Sequence, residues 1–112
     1  MRPLAAGALV LALAVPATAE EPSTARCALL GPLVMSGYVG FVRDVAGQRA
    51  EEASAAATRL DALIALHTRL GCDGDALTVA IECLTTRLLG GAPLPPAEIA
   101  HSCMTVAGLP LR

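Results

Sequence analysis

The segment from His101 to Met104 contains three side chains that bind soft metal ions. Imidazole, thiolate and thioether groups are the ligands that copper prefers in proteins. If the segment is helical, His101 and Cys103 point about 160° apart and cannot share one ion. His101 and Met104, at i and i+3, do share a face, and Met35 and His67 are further soft ligands. With two histidines and three methionines in the chain, we predict no resident metal and keep His101, Met104 and His67 as weak candidate ligands.

The other residues with chemical potential favour no enzyme class. No serine lies in a strand-turn-helix setting that would activate a nucleophile. Paired acids such as Glu51-Glu52 belong to a solvated face or a helix start, where the helix dipole accounts for them. The net charge is −2 and the chain has no lysine, whereas phosphate binding needs clustered positive charge. We predict a non-catalytic protein without a cofactor and without nucleic-acid binding.

The N-terminus has the order of features found in a secretory signal peptide. Arg2 precedes an apolar run over residues 4–15, and small residues follow up to Ala19. We predict cleavage after Ala19, a periplasmic or secreted protein, and one domain over residues 20–112. The next longest apolar stretch, residues 27–42, is interrupted by glycine and proline and falls short of the roughly 18 to 20 residues of a membrane span.

Four cysteines in a small exported chain predict two disulfides rather than a metal site. Cys72 and Cys83 would lie about 16 Å apart along a helix axis, too far for the roughly 4.4–6.8 Å that a disulfide spans. Cys83 and Cys103 are centred on the turn-forming segment 90–96, as facing residues of a helical hairpin are. Cys27 and Cys72 are centred close to a second glycine turn. We predict the pairs Cys27–Cys72 and Cys83–Cys103.

Apolar residues recur with helical periodicity in four segments. The sequence therefore predicts an all-α fold: four short helices arranged as two disulfide-stapled antiparallel hairpins. The segments are residues 27–42, 48–70, 75–89 and 96–107.

Individual residues within these segments give more detailed predictions. Asp73 is a plausible N-cap for the third helix, and Arg87 in its last turn should bond the free carbonyls. Val79 and Val106 lie on apolar stripes, whereas Leu89 lies on a polar face. The sequence leaves open whether Pro32 breaks the first helix and whether residues 37–40 form a strand instead. As a helix, the segment carries Tyr38 and Phe41 on the face of Cys27. His67 ends the apolar stripe of the second helix, and we expect it at a wet edge or bonded to a carbonyl.

A series of landmarks follows one another along the chain: Gly37-Tyr38-Val39, Asp44, Cys72, Ile81, Leu89, Pro93 and Pro96-Ala97. Their order resembles that of the periplasmic immunity proteins that neutralise type VI secretion effectors such as cell-wall amidases. This resemblance implies a small, exported, helical, disulfide-stapled protein that binds an enzyme without catalysing a reaction.

Three functional hypotheses follow. The first is a periplasmic protein that acts by binding another protein, in its most concrete form an immunity-type inhibitor of a secreted cell-wall-degrading effector. The second is a small metal or ligand carrier that uses His101, Met104 and His67. The third is an acid-stress chaperone whose helices loosen and expose their Ala/Leu faces when Asp and Glu protonate. Separately from these hypotheses, His67 is a candidate titrating group, because an imidazole gains its charge near pH 6.

Overall fold

The chain is all-α in the computed structural model, which describes the backbone of residues 2–110 and the side chains of residues 24–110. No strand occurs over residues 2–110, and the predicted fold class is confirmed. The four helices are α1 (Arg2–Ala46), α2 (Ala50–Arg69), α3 (Gly74–Leu89) and α4 (Pro96–Ala107).

Two disulfides staple the helices into two antiparallel hairpins. Cys27 in α1 pairs with Cys72 just beyond α2, and Cys83 in α3 pairs with Cys103 in α4. Each pair has a Cα–Cα distance of 5.6 Å. Both predicted pairings are therefore confirmed, and the two strongest helix contacts are those within the hairpins, α1 with α2 and α3 with α4.

The described part of α1 forms the centre of the bundle, because it contacts each of the other three helices. Val34 and Met35 are fully buried there, against α3 and α4 residues such as Leu84 and Ile99. Five of the buried residues are alanines, which bury little area but let the helices approach closely. The core consists of Val34, Met35, Leu60, Ala76, Leu77, Ala80, Leu84, Ile99, Ala100, Cys103, Met104 and Leu109, with Ala53 and Ala56 also buried in α2.

Pro32 does not break α1, which continues through it as helix. Pro32 is half-buried and lines an open cavity between α1 and α4. The sequence left open whether the helix is broken at Pro32, and the structure shows that it is not.

The ends of α3 and α4 follow standard capping chemistry. The Asp73 carboxylate accepts a hydrogen bond of 3.0 Å from the backbone N–H of Ala76, which confirms it as the N-cap. Gly108 ends α4 in the left-handed region with φ 79°. Leu109 then folds back and is buried against α1, its side chain within 3.8 Å of where a Cβ on Gly31 would lie.

Three side-chain predictions on α3 and α4 are wrong. Arg87 donates to the Ser102 hydroxyl at 2.9 Å and so bridges the hairpin, instead of bonding the last carbonyls of α3. Val79 and Val106 lie on the predicted apolar stripes but are not buried: their side chains are 47% and 67% exposed. The buried stripe of α4 is rotated toward Met104, because α4 packs on α1 as well as on α3.

The N-terminal apolar helix is compatible with a signal sequence, and the two disulfides suggest an oxidising compartment. The side chains of residues 1–23, including the predicted cleavage site after Ala19, lie outside the described residues. By length and composition alone, Thr24–Ala46 is long and apolar enough to cross a membrane, with mean hydropathy 1.4. Part of this apolar character serves packing, because Leu30, Val34 and Met35 are buried.

Candidate functional site

The candidate metal ligands are distributed over different environments. His101 is exposed on α4, whereas Met104 is buried and lines a cavity together with Met35. His67 lies in the last turn of α2 and does not line that cavity. Among the residues whose side chains are described, no cluster of three or more His, Cys, Asp or Glu could hold a metal ion, and Cys103 is oxidised.

His67 is the one buried polar side chain in the described part of the bundle. It is only 1% exposed, and its Nδ1 has no hydrogen-bond partner. Burial lowers the pKa of His67, and the charge of Asp73 partly opposes this shift. Neither the expected wet edge nor a bond to a carbonyl is found; the backbone carbonyl of His67 instead accepts from the Cys72 N–H at 3.1 Å.

An apolar groove opens on the surface between the end of α1 and the end of α3. We call it the aromatic groove, because it contains the only tyrosine and the only phenylalanine of the chain. It has a volume of about 220 Å³, and no charged residue lines it. Leu89, at its rim, is 77% exposed and Val45 is 53% exposed. The lining residues are Tyr38, Phe41, Val42, Val45, Thr85, Leu88 and Leu89.

The two rings are held by neighbours within and across the helices. The ring centroids of Tyr38 and Phe41 are 6.3 Å apart, a tilted contact along one face of α1. The Tyr38 and Thr85 hydroxyl oxygens are 2.8 Å apart, which ties α1 to α3. The groove is therefore preformed on two helices that are fixed to each other.

A larger cavity, of about 560 Å³, lies between α1 and α4. We call it the α1–α4 cavity. Buried Met35 and Met104 contribute to its lining, and Arg43 is its only charged lining residue. The remaining lining residues are Pro32, Ser36, Val39, Gly40, Pro95, Pro96, Ala97 and Ala100.

No protein-family model, curated protein or solved structure matches this chain. The likeness to periplasmic immunity proteins consequently rests on the order of residues alone and stays a hypothesis.

The sequence did not reveal either concave surface. The sequence placed Tyr38 and Phe41 on the face of Cys27, and in the structure both are half-buried and line the aromatic groove together with residues of α3. One signal was available. Leu89 stands on the polar face of α3, and a large apolar side chain at a solvated position marks a surface that can be covered by a partner.

Proposed function

We propose that this chain is a non-catalytic, exported protein that acts by binding another protein through the aromatic groove. The observation that supports the proposal is the placement of its two aromatic rings. Tyr38 and Phe41 line a surface groove, whereas the fully buried core residues of the described chain include no aromatic side chain. Aromatic side chains bury more area than any others and are enriched where proteins contact one another.

The lining of the groove defines the kind of contact the partner must make. No charged residue lines it, and Leu89 and Val45 at its rim are largely exposed. A partner that covers them removes apolar surface from water, and a side chain inserted into the groove beside the rings would serve as the anchor of the interface. We infer that the partner presents one or two large apolar side chains on a convex surface.

The site of action that we propose is the periplasm. The apolar N-terminal helix and the two disulfides support it, because disulfides persist in oxidising compartments. The resemblance to immunity proteins gives the partner its most concrete form: a secreted effector that degrades the cell wall, which this chain would inhibit by covering part of its surface.

The environment of His67 favours a second candidate function, the acid-stress chaperone. An imidazole that is buried and unpartnered at Nδ1 must gain a charge when the compartment acidifies, and this weakens the packing of α2. A chaperone of this kind would bind a hydrophobic dye at about pH 3 and suppress aggregation there, but not at neutral pH.

The partner-binding proposal is tested by affinity purification from periplasmic extract with matched variants. Leu89→Asp places a charge on the groove, and Val106→Asp places the same charge on an exposed residue of α4 outside it. We expect wild type and Val106→Asp to retain one stoichiometric partner that Leu89→Asp loses. Retention of that partner by Leu89→Asp would show that the groove is not the binding surface.

The immunity form of the proposal has a separate genetic test. The gene should lie beside a gene for a secreted cell-wall hydrolase, and its deletion should make the cell sensitive to that hydrolase. Expression of the Leu89→Asp variant should fail to restore protection, whereas Val106→Asp should restore it. Full protection by both variants, or none by wild type, would reject an inhibitor that acts through the groove.

A further inference from the structure

The α1–α4 cavity has the size and the lining of a small-molecule site. Its volume of about 560 Å³ lies within the roughly 300–1,000 Å³ typical of ligand pockets. On α1 it extends from Pro32 to Arg43, which corresponds to a length of about 16 Å along the helix. Met35 and Met104 contribute thioether side chains, which adapt their shape to an apolar guest.

Arg43 supplies one positive charge at the end of this cavity. Its neighbour Asp44 is already paired with Arg49, at 3.0 Å from Nη2 and 3.1 Å from Nε. The Arg43 guanidinium therefore has no ion pair among the side chains that the structure describes. No acidic residue lines the cavity, so the charge at this end is uncompensated and favours an anionic group.

We propose that the α1–α4 cavity binds a small amphiphile with an alkyl chain and a carboxylate, such as a medium-chain fatty acid. The alkyl chain lies along Met35, Val39 and Met104, and the carboxylate accepts hydrogen bonds from Arg43. The two ends of such a molecule match the two ends of the cavity, one apolar and one cationic.

The lining favours an alkyl chain over an acidic peptide. A peptide brings an N–H and a C=O at every residue, and each must find a hydrogen-bond partner when it is buried. Besides Arg43, the only polar side chain in the lining is that of Ser36. An alkyl chain makes no such demand and gains from the removal of apolar surface from water.

This site is separate from the surface proposed for protein binding. The α1–α4 cavity and the aromatic groove share no lining residue. Loss of amphiphile binding would leave the partner-binding proposal intact, and the reverse also holds.

Calorimetric titration of the oxidised protein with dodecanoate tests the proposal. Affinity should rise by up to about fourfold per methylene from octanoate through decanoate to dodecanoate, and dodecanol should bind more weakly than dodecanoate. Arg43→Gln should weaken dodecanoate binding by roughly fivefold. Arg69→Gln, which removes an exposed arginine of α2 that does not line the cavity, should bind as wild type does.

A second variant tests the location without removing charge. Gly40 lines the cavity, and a Cβ built on it meets no atom within 4 Å, so Gly40→Leu should fold, fill the cavity and abolish binding. Circular dichroism checks that the helices are retained. The proposal is overturned if dodecanoate does not bind wild type, if folded Gly40→Leu binds it equally well, or if Leu89→Asp abolishes binding while Gly40→Leu does not.

Discussion

The hydroxyl oxygens of Tyr38 and Thr85 lie 2.8 Å apart and join α1 to α3 at the aromatic groove. The Thr85 hydroxyl also lies 2.8 Å from the Ile81 carbonyl oxygen, which can only accept. Since threonine has one hydroxyl proton, it donates to Ile81, and Tyr38 donates to Thr85. This chain of two hydrogen bonds connects the two hairpins without a charged group.

Tyr38→Phe removes this hydrogen bond and keeps the ring. We expect the free energy of unfolding to fall by about 1 kcal/mol, measured by urea denaturation of the oxidised protein. Thr85→Val should have a similar effect, and the double variant should lose less than the sum of the two. Strict additivity would mean that the two hydroxyls do not interact in solution.

His67 should make stability depend on pH. Because burial lowers its pKa in the folded state below the ordinary value of 6.5, the unfolded chain binds the proton more readily. The contribution of neutral His67 to the free energy of unfolding is therefore complete above pH 6.5. It is lost as the pH falls from there through the folded-state pKa. A single proton gives a slope of at most about 1.4 kcal/mol per pH unit.

Urea denaturation between pH 7.5 and pH 4.5 checks this expectation. His67→Leu should remove the part of the pH dependence of the unfolding free energy that is assigned to His67. His101→Gln, at an exposed position, should keep the wild-type pH dependence. An unchanged slope in His67→Leu would assign the pH dependence to other groups, such as the carboxylates.

The two disulfides should differ in their contribution to stability. In the chain-entropy model, removal of Cys27–Cys72, with a sequence separation of 45, costs about 4 kcal/mol. Removal of Cys83–Cys103, with a separation of 20, costs about 3.3 kcal/mol. Paired Cys→Ser variants compared by thermal and urea denaturation test this order. A larger loss for Cys83–Cys103 would indicate that the packing around buried Cys103 outweighs chain entropy.

Substitution by alanine should change the free energy of unfolding in opposite directions at two glycines. Neither Gly108 nor Gly40 has an atom within 4 Å of a built Cβ, so only backbone conformation differs. Gly108 has φ 79°, and Gly108→Ala should destabilise by about 1 kcal/mol. Gly40 is inside α1, and Gly40→Ala should stabilise by about 0.5–1 kcal/mol. Denaturation curves of both variants measure the difference directly.

Local features of this fold were available from the sequence. Helix periodicity gave four helices, the Asp73 cap is confirmed, and the positions of the cysteines about two turns gave both disulfide pairs. These features depend on residues close in sequence or related symmetrically within one hairpin. The physical reason is that helix geometry converts sequence spacing into distance and direction.

The tertiary structure alone decided how the two hairpins pack on each other. That packing rotated the buried stripe of α4 toward Met104, left Val106 exposed and placed Tyr38 in a groove. Spacing in sequence tells which side chains share a face of a helix. It does not tell which neighbour covers that face, because the contacts between hairpins join residues far apart in the chain.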